Sequence, residues 1–154
     1  FIDQNLLETT VQGSKGVLLF TGDGESYDEI GKCVVYDGDK SINIGGGINV
    51  FTPDENQVIP SYLSYVMNSE SVIFQKSREG RGEIVVHIYS KQLREIQLGL
   101  PPINEQKNIT EYLDKETKFI DETVSKEEKK IELLKDFKLS LMSEVVTGKK
   151  RVVS

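Results

Sequence analysis

The stretch "LPPINEQKNITEYLD", residues 100–114, joins two different kinds of sequence pattern. Pro101 and Pro102 end an alternating apolar run, and a proline disfavours helix in the residue before it. Asn104 follows directly and is a good N-cap residue, because its side-chain oxygen can accept a hydrogen bond from the first helical turn. The stretch therefore predicts a mixed segment before residue 104 and one long α-helix after it.

The predicted helix carries a repeating apolar stripe. From Thr117 to Val145 its positions advance in steps of three and four, as in a coiled-coil seam, and Glu127 and Lys138 interrupt it. A helix from 104 to 147 is about 66 Å long, too long to bury this stripe against a domain of about a hundred residues. We expect it to pair with another helix through Ile120, Val124, Ile131, Leu134, Phe137, Leu141 and Val145. Gly148 is typical of a residue just past a helix end.

The residues before the two prolines predict an α+β fold in which strands outnumber helices. Apolar runs predict strands at 16–22, 45–53, 84–88 and 93–100, and a hairpin across 31–44 that turns at Asp37-Gly38. Helical spacing predicts one or two helices within 59–78, with Ser61 as the N-cap. The predicted organisation is a small sheet-and-helix domain at 1–103, a long coiled-coil helix at 104–148 and a basic tail at 149–154.

Composition limits the protein classes. The chain has 154 residues, no apolar run near membrane-spanning length and no signal-peptide pattern at its start, so we expect a cytoplasmic protein. Cys33, the single cysteine, is expected to be a buried thiol. The start lacks Met, which suggests trimming or a fragment. Residues 1–100 hold 8 Lys and Arg against 14 Asp and Glu, which argues against an indiscriminate nucleic-acid binder.

No catalytic or metal motif is convincing in the sequence. His87, the single histidine, lies in an apolar run and is expected to be structural. One Cys and one His do not make a zinc ligand set, and "DGDKS" has Ile48 where a calcium loop needs Glu. Asp54 with Glu105 and Lys107 only loosely fits a metal-dependent nuclease pattern. We therefore expect no cofactor, no metal and no catalysis by this chain alone.

The region "LGLPPINEQKNITEYLDKETKFIDETVSKEEKKIELLKDFKLSLMSEVVTGKKRV" strongly resembles the conserved region of type I restriction–modification specificity subunits. It has the L-P-P run, the acid-Gln pair, and helix motifs of the form "I..YLD..T..ID" and "IELLK". Residues 98–150 match nearly throughout. The segments "GVLLFTGDGESYDEIGKCVV", "INIGGGINVFTP" and "GRGEIVVHIYSKQLREIQLGLPP" are more loosely similar to the family's target recognition domain.

The resemblance implies a non-catalytic subunit that selects double-stranded DNA for separate methyltransferase and restriction subunits. In that family each target recognition domain reads one half of a bipartite site, and conserved helices pair antiparallel to set the spacing. This chain has one such domain, short at its N-terminus, and one such helix, so it is similar to half a subunit. A homodimer through the helix would rebuild the full arrangement.

Two stretches offer side chains that could read base edges, which require paired donors and acceptors on loops. The first is the loop after residue 20 with a neighbouring strand end, and its candidates are Thr21, Ser26, Tyr27, Lys32 and Asn43. The second, "QKSREGRGE", is the densest basic patch of the first hundred residues, and its candidates are Lys76, Arg78 and Arg81. Each stretch could instead be a solvated loop. The acidic charge predicts weak DNA binding by the chain alone and tight binding in the complex.

Two other classes of function remain open at this point. Composition by itself favours a non-DNA coiled-coil scaffold or protein-interaction module, with an α+β head on a helical stalk. A metal-dependent nuclease rests only on scattered carboxylates. Divalent-metal binding measured by calorimetry would discriminate the nuclease, and we expect none.

Overall fold

The computed structural model describes residues 11–152. Its contacts divide the chain into a unit that ends at Thr110 and one that begins at Glu111. The strands are β1 (Val11–Gly13), β2 (Leu18–Thr21), β3 (Asp23–Gly24), β4 (Cys33–Val35), β5 (Ile42–Ile44), β6 (Ile48–Phe51) and β7 (Val86–His87). The helices are α1 (Pro60–Met67), α2 (Glu70–Glu79), α3 (Ser90–Arg94) and α4 (Ile103–Val146). These elements confirm the predicted α+β fold class with a long C-terminal helix.

Three small antiparallel sheets organise the described part of the first unit, residues 11–110. The largest has the order β4-β2-β6, and Leu18 lies between Val35 and Phe51. Along β2, Leu18 and Phe20 are buried while their neighbours are half-buried, as expected when one face of a sheet covers the core. The other two sheets pair β1 with β5 and β3 with β7.

The predicted hairpin at Asp37-Gly38 is wrong. Strand β4 pairs with β2 and strand β5 pairs with β1, so the two predicted arms never meet. Gly38 is not among the glycines with positive φ in the described chain, and the Tyr36 hydroxyl spans the connection by donating to the Lys40 carbonyl at 2.7 Å. The Asp-Gly pair thus lies in a longer connection between sheets.

The helical region 59–78 contains two helices that meet at Asn68 and Ser69. Ser61 is not the N-cap that we predicted, because α1 begins at Pro60, whose missing N–H is harmless in a first turn. Asn68 follows the end of α1, and its side chain forms hydrogen bonds with strand β4. Its Oδ1 accepts from the Cys33 N–H at 2.9 Å, and its Nδ2 donates to the Cys33 carbonyl at 2.6 Å.

The predicted strand at 93–100 is also wrong. Helix α3 extends through Arg94, and no described strand follows before the prolines. The Gln75 side chain takes the place of a strand partner: Oε1 accepts from the Gln97 N–H at 2.9 Å, and Nε2 donates to the Gln97 carbonyl at 2.9 Å. Ile96 and Leu98 still pack against the core, whereas Leu100 is exposed.

The main core of the first unit lies between the β4-β2-β6 sheet and the helices that follow it. Its buried residues are Leu18, Phe20, Cys33, Val58, Tyr62, Leu63, Met67 and Val72. Cys33 is a free, buried thiol, as predicted, and burial raises its pKa to about 12. A second, smaller core contains Ile30, Val86 and Ile88.

Helix α4 begins at Ile103, so Asn104 lies within its first turn and is not the predicted N-cap. The fully buried residue of that turn is Gln106. Its Oε1 accepts from the Ile59 N–H at 2.9 Å, and its Nε2 donates to the carbonyls of Gln57 and Pro101 at 3.0 and 2.8 Å. The glutamine of the acid-Gln pair is therefore a clamp between the helix start and two connecting segments.

The far end of α4 follows the sequence prediction closely. The helix ends at Val146, and Gly148 has φ +74°, a conformation that favours glycine at this position. Its N–H donates to the Val145 carbonyl at 3.1 Å. None of the helices between residues 11 and 152 has the length and apolar character that a bilayer crossing requires.

Candidate nucleic-acid interface

The two stretches that sequence analysis treated separately are joined in the structure. The Tyr27 hydroxyl donates to the Gly82 carbonyl at 2.9 Å, across 55 positions of the chain. Gly80 lies beneath, and a Cβ there would approach Ile30 to 2.6 Å and the Tyr27 ring to 3.0 Å. We call the resulting surface, residues 22–32 and 80–90, the paired-loop surface. The two loops of this surface can come this close only because position 80 is a glycine.

Strands β3 and β7 form the base of the paired-loop surface. Asp23 lies opposite His87, and its carboxylate is 2.6 Å from the histidine Nδ1. The imidazole stacks on the Tyr89 ring with centroids 6.2 Å apart and an interplanar angle of 14°. The His87–Asp23 pair is partly exposed. Asp23 was not among the residues predicted from the sequence, because 64 positions separate it from the histidine.

The glycine-rich segment before β6 borders the same surface. The Gly22 N–H donates to the Gly47 carbonyl at 2.6 Å, and Gly47 has φ +81°. Asn49 continues the connection, since its Nδ2 donates to the Ile88 carbonyl and its Oδ1 accepts from the Ser90 hydroxyl. No sequence signal identified Asn49 or Ser90.

Lys76 is not on a DNA-facing loop, contrary to the sequence prediction. The side chain lies in α2 and is only 1% exposed. Its ammonium donates to the carbonyls of Gly31 and Met67 at 2.6 and 2.8 Å, and burial lowers its pKa to about 8. Lys76 therefore ties the end of the first loop to the end of α1 from inside the domain.

Two other candidates of that basic stretch are exposed. Arg78 lies in the last turn of α2, 5.9 Å above the Phe74 ring. Arg81 follows the helix and exchanges two backbone hydrogen bonds with His87, of 2.9 and 2.7 Å. The stretch is thus helix up to Glu79, in agreement with the helix predicted within 59–78, and loop only afterwards.

The candidates of the first loop divide into anchors and exposed groups. The Thr21 hydroxyl donates to the Glu29 carbonyl and accepts from the Lys32 N–H, so it holds the loop closed. A hydrogen bond from the half-buried Ser26 lowers the pKa of Asp28. Tyr27 and Lys32 are exposed. Asn43 is exposed on β5, in a different sheet from the β3–β7 pair.

An apolar cavity of about 380 Å³ opens beside strand β6, apart from the Asp23–His87 pair. Phe20, Val58, Leu63, Met67 and Leu98 contribute to its lining, and Arg94 is its one charged lining residue. Across residues 11–152, no group of three His, Cys, Asp or Glu side chains is placed to hold a metal ion.

The unit that begins at Glu111 is helix through Val146 and exposes its apolar stripe. Of the positions predicted for helix pairing, Ile120, Val124, Ile131, Leu134 and Phe137 are 50–63% exposed, and Leu141 and Val145 are half-buried. Phe119, Leu133 and Met142 are exposed as well. Such a surface has a strong tendency to bury itself against another helix.

Comparison with known proteins gives a consistent result. Residues 12–133 match the family described as the type I restriction modification DNA specificity domain. A protein of Methanocaldococcus jannaschii, named as the specificity subunit of the type I restriction enzyme MjaX, is 28% identical over 125 residues. A protein of Haemophilus influenzae, also named as a type I restriction enzyme specificity subunit, is 28% identical over 101 residues.

These matches cover much of this chain and little of the relatives. They take in 79% and 66% of the chain, but 28% and 24% of the two relatives respectively. The family match runs from β1 through both loops of the paired-loop surface and into the exposed part of α4. The chain belongs to the type I restriction modification DNA specificity domain family.

Proposed function

We propose that this chain is a non-catalytic DNA sequence-recognition module that reads one half of a bipartite target. The observation that carries the proposal is the extent of the family match, which includes both the loop-bearing unit and most of the long helix. In the proposed organisation, residues 1–103 recognise DNA, residues 104–148 pair with another helix, and 149–154 form a basic tail. Separate methyltransferase and restriction subunits, in the cytoplasm, supply the chemistry.

The paired-loop surface is the proposed DNA contact. It presents exposed Tyr27, Lys32 and Arg81, and Thr21 and Lys76 hold it in place from below. Exposed Arg78 precedes it in the last turn of α2 and is a further candidate. Side chains on a preorganised support lose less conformational entropy on binding than side chains on a mobile loop. We retain Ser26 and Asn43 as further candidates, and we assign Lys76 a positioning role only.

The acidic charge of this unit bears on how tightly it binds. Asp23, Glu25, Asp28 and Glu83 lie on or beside the paired-loop surface and would repel phosphates. We therefore propose that the methyltransferase subunit supplies most phosphate contacts and that the chain alone binds DNA weakly. Equal, tight binding of random and target duplexes by the isolated chain at physiological salt would contradict this division of roles.

The exposed stripe of α4 supports pairing with a second copy of the chain. Two helices packed antiparallel would cover both stripes and place two recognition units about a two-fold axis. Ile131→Lys and Leu134→Lys would each put a charge in the seam, and we expect both to give monomers. Asp136→Lys, on the opposite side of the helix, is the control that should stay dimeric. Molar mass by light scattering reads out all three, and dimeric Ile131→Lys and Leu134→Lys would exclude these residues from the seam.

The target can be read from the modification that the complex leaves on DNA. We would co-express the chain with its cognate methyltransferase subunit and map methylated adenines across the host genome. The proposal predicts a bipartite motif with two identical, inverted half-sites, because each copy of the chain would read one half. A stable, active complex that methylates without a motif would overturn the recognition role and favour a scaffold.

A further inference from the structure

Residues 81–87 form a closed loop at the edge of the paired-loop surface. Arg81 and His87 close it with two reciprocal backbone hydrogen bonds. Between them the chain turns at Gly82, whose φ of +122° is accessible almost only to glycine. A Cβ at Gly82 would also collide with the Val85 carbonyl oxygen. The conformation of the loop is therefore determined by the positive φ of Gly82 and by the two backbone hydrogen bonds between Arg81 and His87.

The base of this loop is anchored to the rest of the unit from two sides. The Tyr27 hydroxyl holds the Gly82 carbonyl, and the Asp23 carboxylate holds His87. Val86 and Ile88, at the loop's end, are 2% and 1% exposed in the second core. These contacts fix where the tip of the loop points.

The tip carries an apolar side chain that the described chain leaves uncovered. Ile84 is 89% exposed, the highest value among the exposed large hydrophobic side chains of residues 11–152, and Val85 is 45% exposed. Arg81 and Glu83 precede it on the same loop and are both exposed. Holding a branched apolar group in water on an anchored loop brings no stability to the fold, which suggests that it serves in binding.

We propose that Ile84 recognises thymine by contacting its C5-methyl group in the major groove, an assignment that rests on the proposed DNA-reading function. The methyl is the one apolar feature that base edges present in that groove, and an aliphatic side chain can select it without hydrogen bonds. The groove is wide enough to admit a two-stranded ribbon. The loop is a narrow element of the same kind, closed at its base by a single antiparallel bridge between Arg81 and His87.

The charges beside Ile84 fit the same assignment. Arg81 can contact a phosphate or a guanine edge next to the thymine, whereas Glu83 repels phosphates and disfavours binding without a matching base. A protein-binding patch would need more apolar area than Ile84 and Val85 provide, since specific protein interfaces bury about 800 Å² on each partner. We therefore assign the loop tip to DNA.

Selection from randomised duplexes tests the assignment whatever the target sequence proves to be. The complex of the full chain with its methyltransferase subunit would be used as wild type and as Ile84→Ala, Ile84→Val and Val34→Ala. Val34 is the matched control, a 59% exposed branched residue on β4. We expect wild type, Ile84→Val and Val34→Ala to select one motif, and Ile84→Ala to lose the thymine preference at one position of each half-site. Unchanged melting temperatures would verify that the fold is intact.

A second experiment removes the partner group from the DNA. Deoxyuridine in place of that thymine deletes the methyl and keeps every hydrogen-bonding group of the base. We expect about a threefold to tenfold loss of affinity for wild type, as for one or two buried methyl-sized groups, and no loss for Ile84→Ala. An equal loss in both proteins would mean that another residue contacts the methyl, which would overturn the assignment.

The outcomes separate this inference from the function on which it rests. If wild type selects a motif and Ile84→Ala selects the same motif with the same preferences, the inference is wrong and the DNA-reading function stands. If the position that depends on Ile84 is not thymine, the assignment to thymine is likewise wrong. If wild type selects no motif, the proposed function fails and the inference fails with it.

Discussion

Replacing Gln106 by Met is the sharpest test of how the loop-bearing unit is held to the start of α4. Met has nearly the same length, flexibility and helix propensity as Gln, so the change removes the amide and little else. Gln106 is fully buried and its amide makes three hydrogen bonds, to Ile59 N–H and to the carbonyls of Gln57 and Pro101. The substitution would leave all three backbone groups without this partner inside the protein.

The expected effect follows from the cost of each stranded group. Leaving a buried donor or acceptor unsatisfied costs about 1–3 kcal/mol, so three such groups amount to about 3–6 kcal/mol after partial relaxation. That is a large share of the roughly 5–15 kcal/mol by which most domains are stable. At about 2–4 °C per kcal/mol for a chain of this size, we expect the melting temperature to fall by about 6–24 °C.

A matched control separates burial from amide chemistry. Gln75→Met removes an amide that also bonds to backbone, at Gln97, but in an exposed setting where water replaces the lost partner. We expect a loss of at most about 1 kcal/mol. Thermal and urea unfolding, followed by circular dichroism at one protein concentration, would compare the variants, since the proposed helix pairing would make stability concentration-dependent. If Gln106→Met were no less stable than Gln75→Met, the reasoning that the buried clamp stabilises the unit would be refuted.

Four further predictions concern the interior of the same unit. The pKa of Lys76 is lowered to about 8 in the folded state, from an ordinary value of 10.5. Between these two pH values Lys76 is protonated in the unfolded chain and neutral in the folded chain, so it should make the free energy of unfolding rise with pH. The Cys33 pKa is raised from 9.0 to about 12, so this thiol should make stability fall across that window, and urea titrations of Cys33→Ala should lack the fall. Asn68→Ala removes two hydrogen bonds to the Cys33 backbone and should lower the free energy of unfolding by about 1–3 kcal/mol, whereas an unchanged urea midpoint would show that β4 does not need them. Gly80→Ala should displace Tyr27 from Gly80, which would be measured as a change in tyrosine fluorescence and would be contradicted by an unchanged spectrum.

The local sequence pattern correctly predicted those elements whose formation depends only on nearby residues. The apolar run around Leu18 gave strand β2, and the repeat beyond Thr117 gave one uninterrupted helix, because each depends on residues close in the chain. Gly148 ended that helix as predicted because a positive φ is a property of the residue itself.

The pairing of strands and the burial of single side chains, by contrast, depend on contacts between residues that are distant in the chain. The strands on either side of Asp37-Gly38 pair with β2 and β1 instead of with each other. Nothing in the turn sequence indicates which of these pairings has the lower free energy. Lys76 shows the same limit at the candidate site. Lys76 lies between two polar residues, Gln75 and Ser77, which is typical of an exposed position. Its burial is favourable only because the carbonyls of Gly31 and Met67 both lie within hydrogen-bonding distance of its ammonium group.

The anchors of the paired-loop surface have a consequence for how the proposed DNA specificity of this surface can change. Tyr27, Thr21 and Lys76 all donate to backbone carbonyls, of Gly82, Glu29 and Gly31. Every amino acid supplies that acceptor, so substitutions at solvent-facing positions leave the supporting bonds in place. Glu25, Asp28, Glu83 and Ile84 are exposed positions of this kind. New targets could therefore evolve, or be engineered from side-chain libraries at these four positions, on a scaffold that does not have to be rebuilt each time.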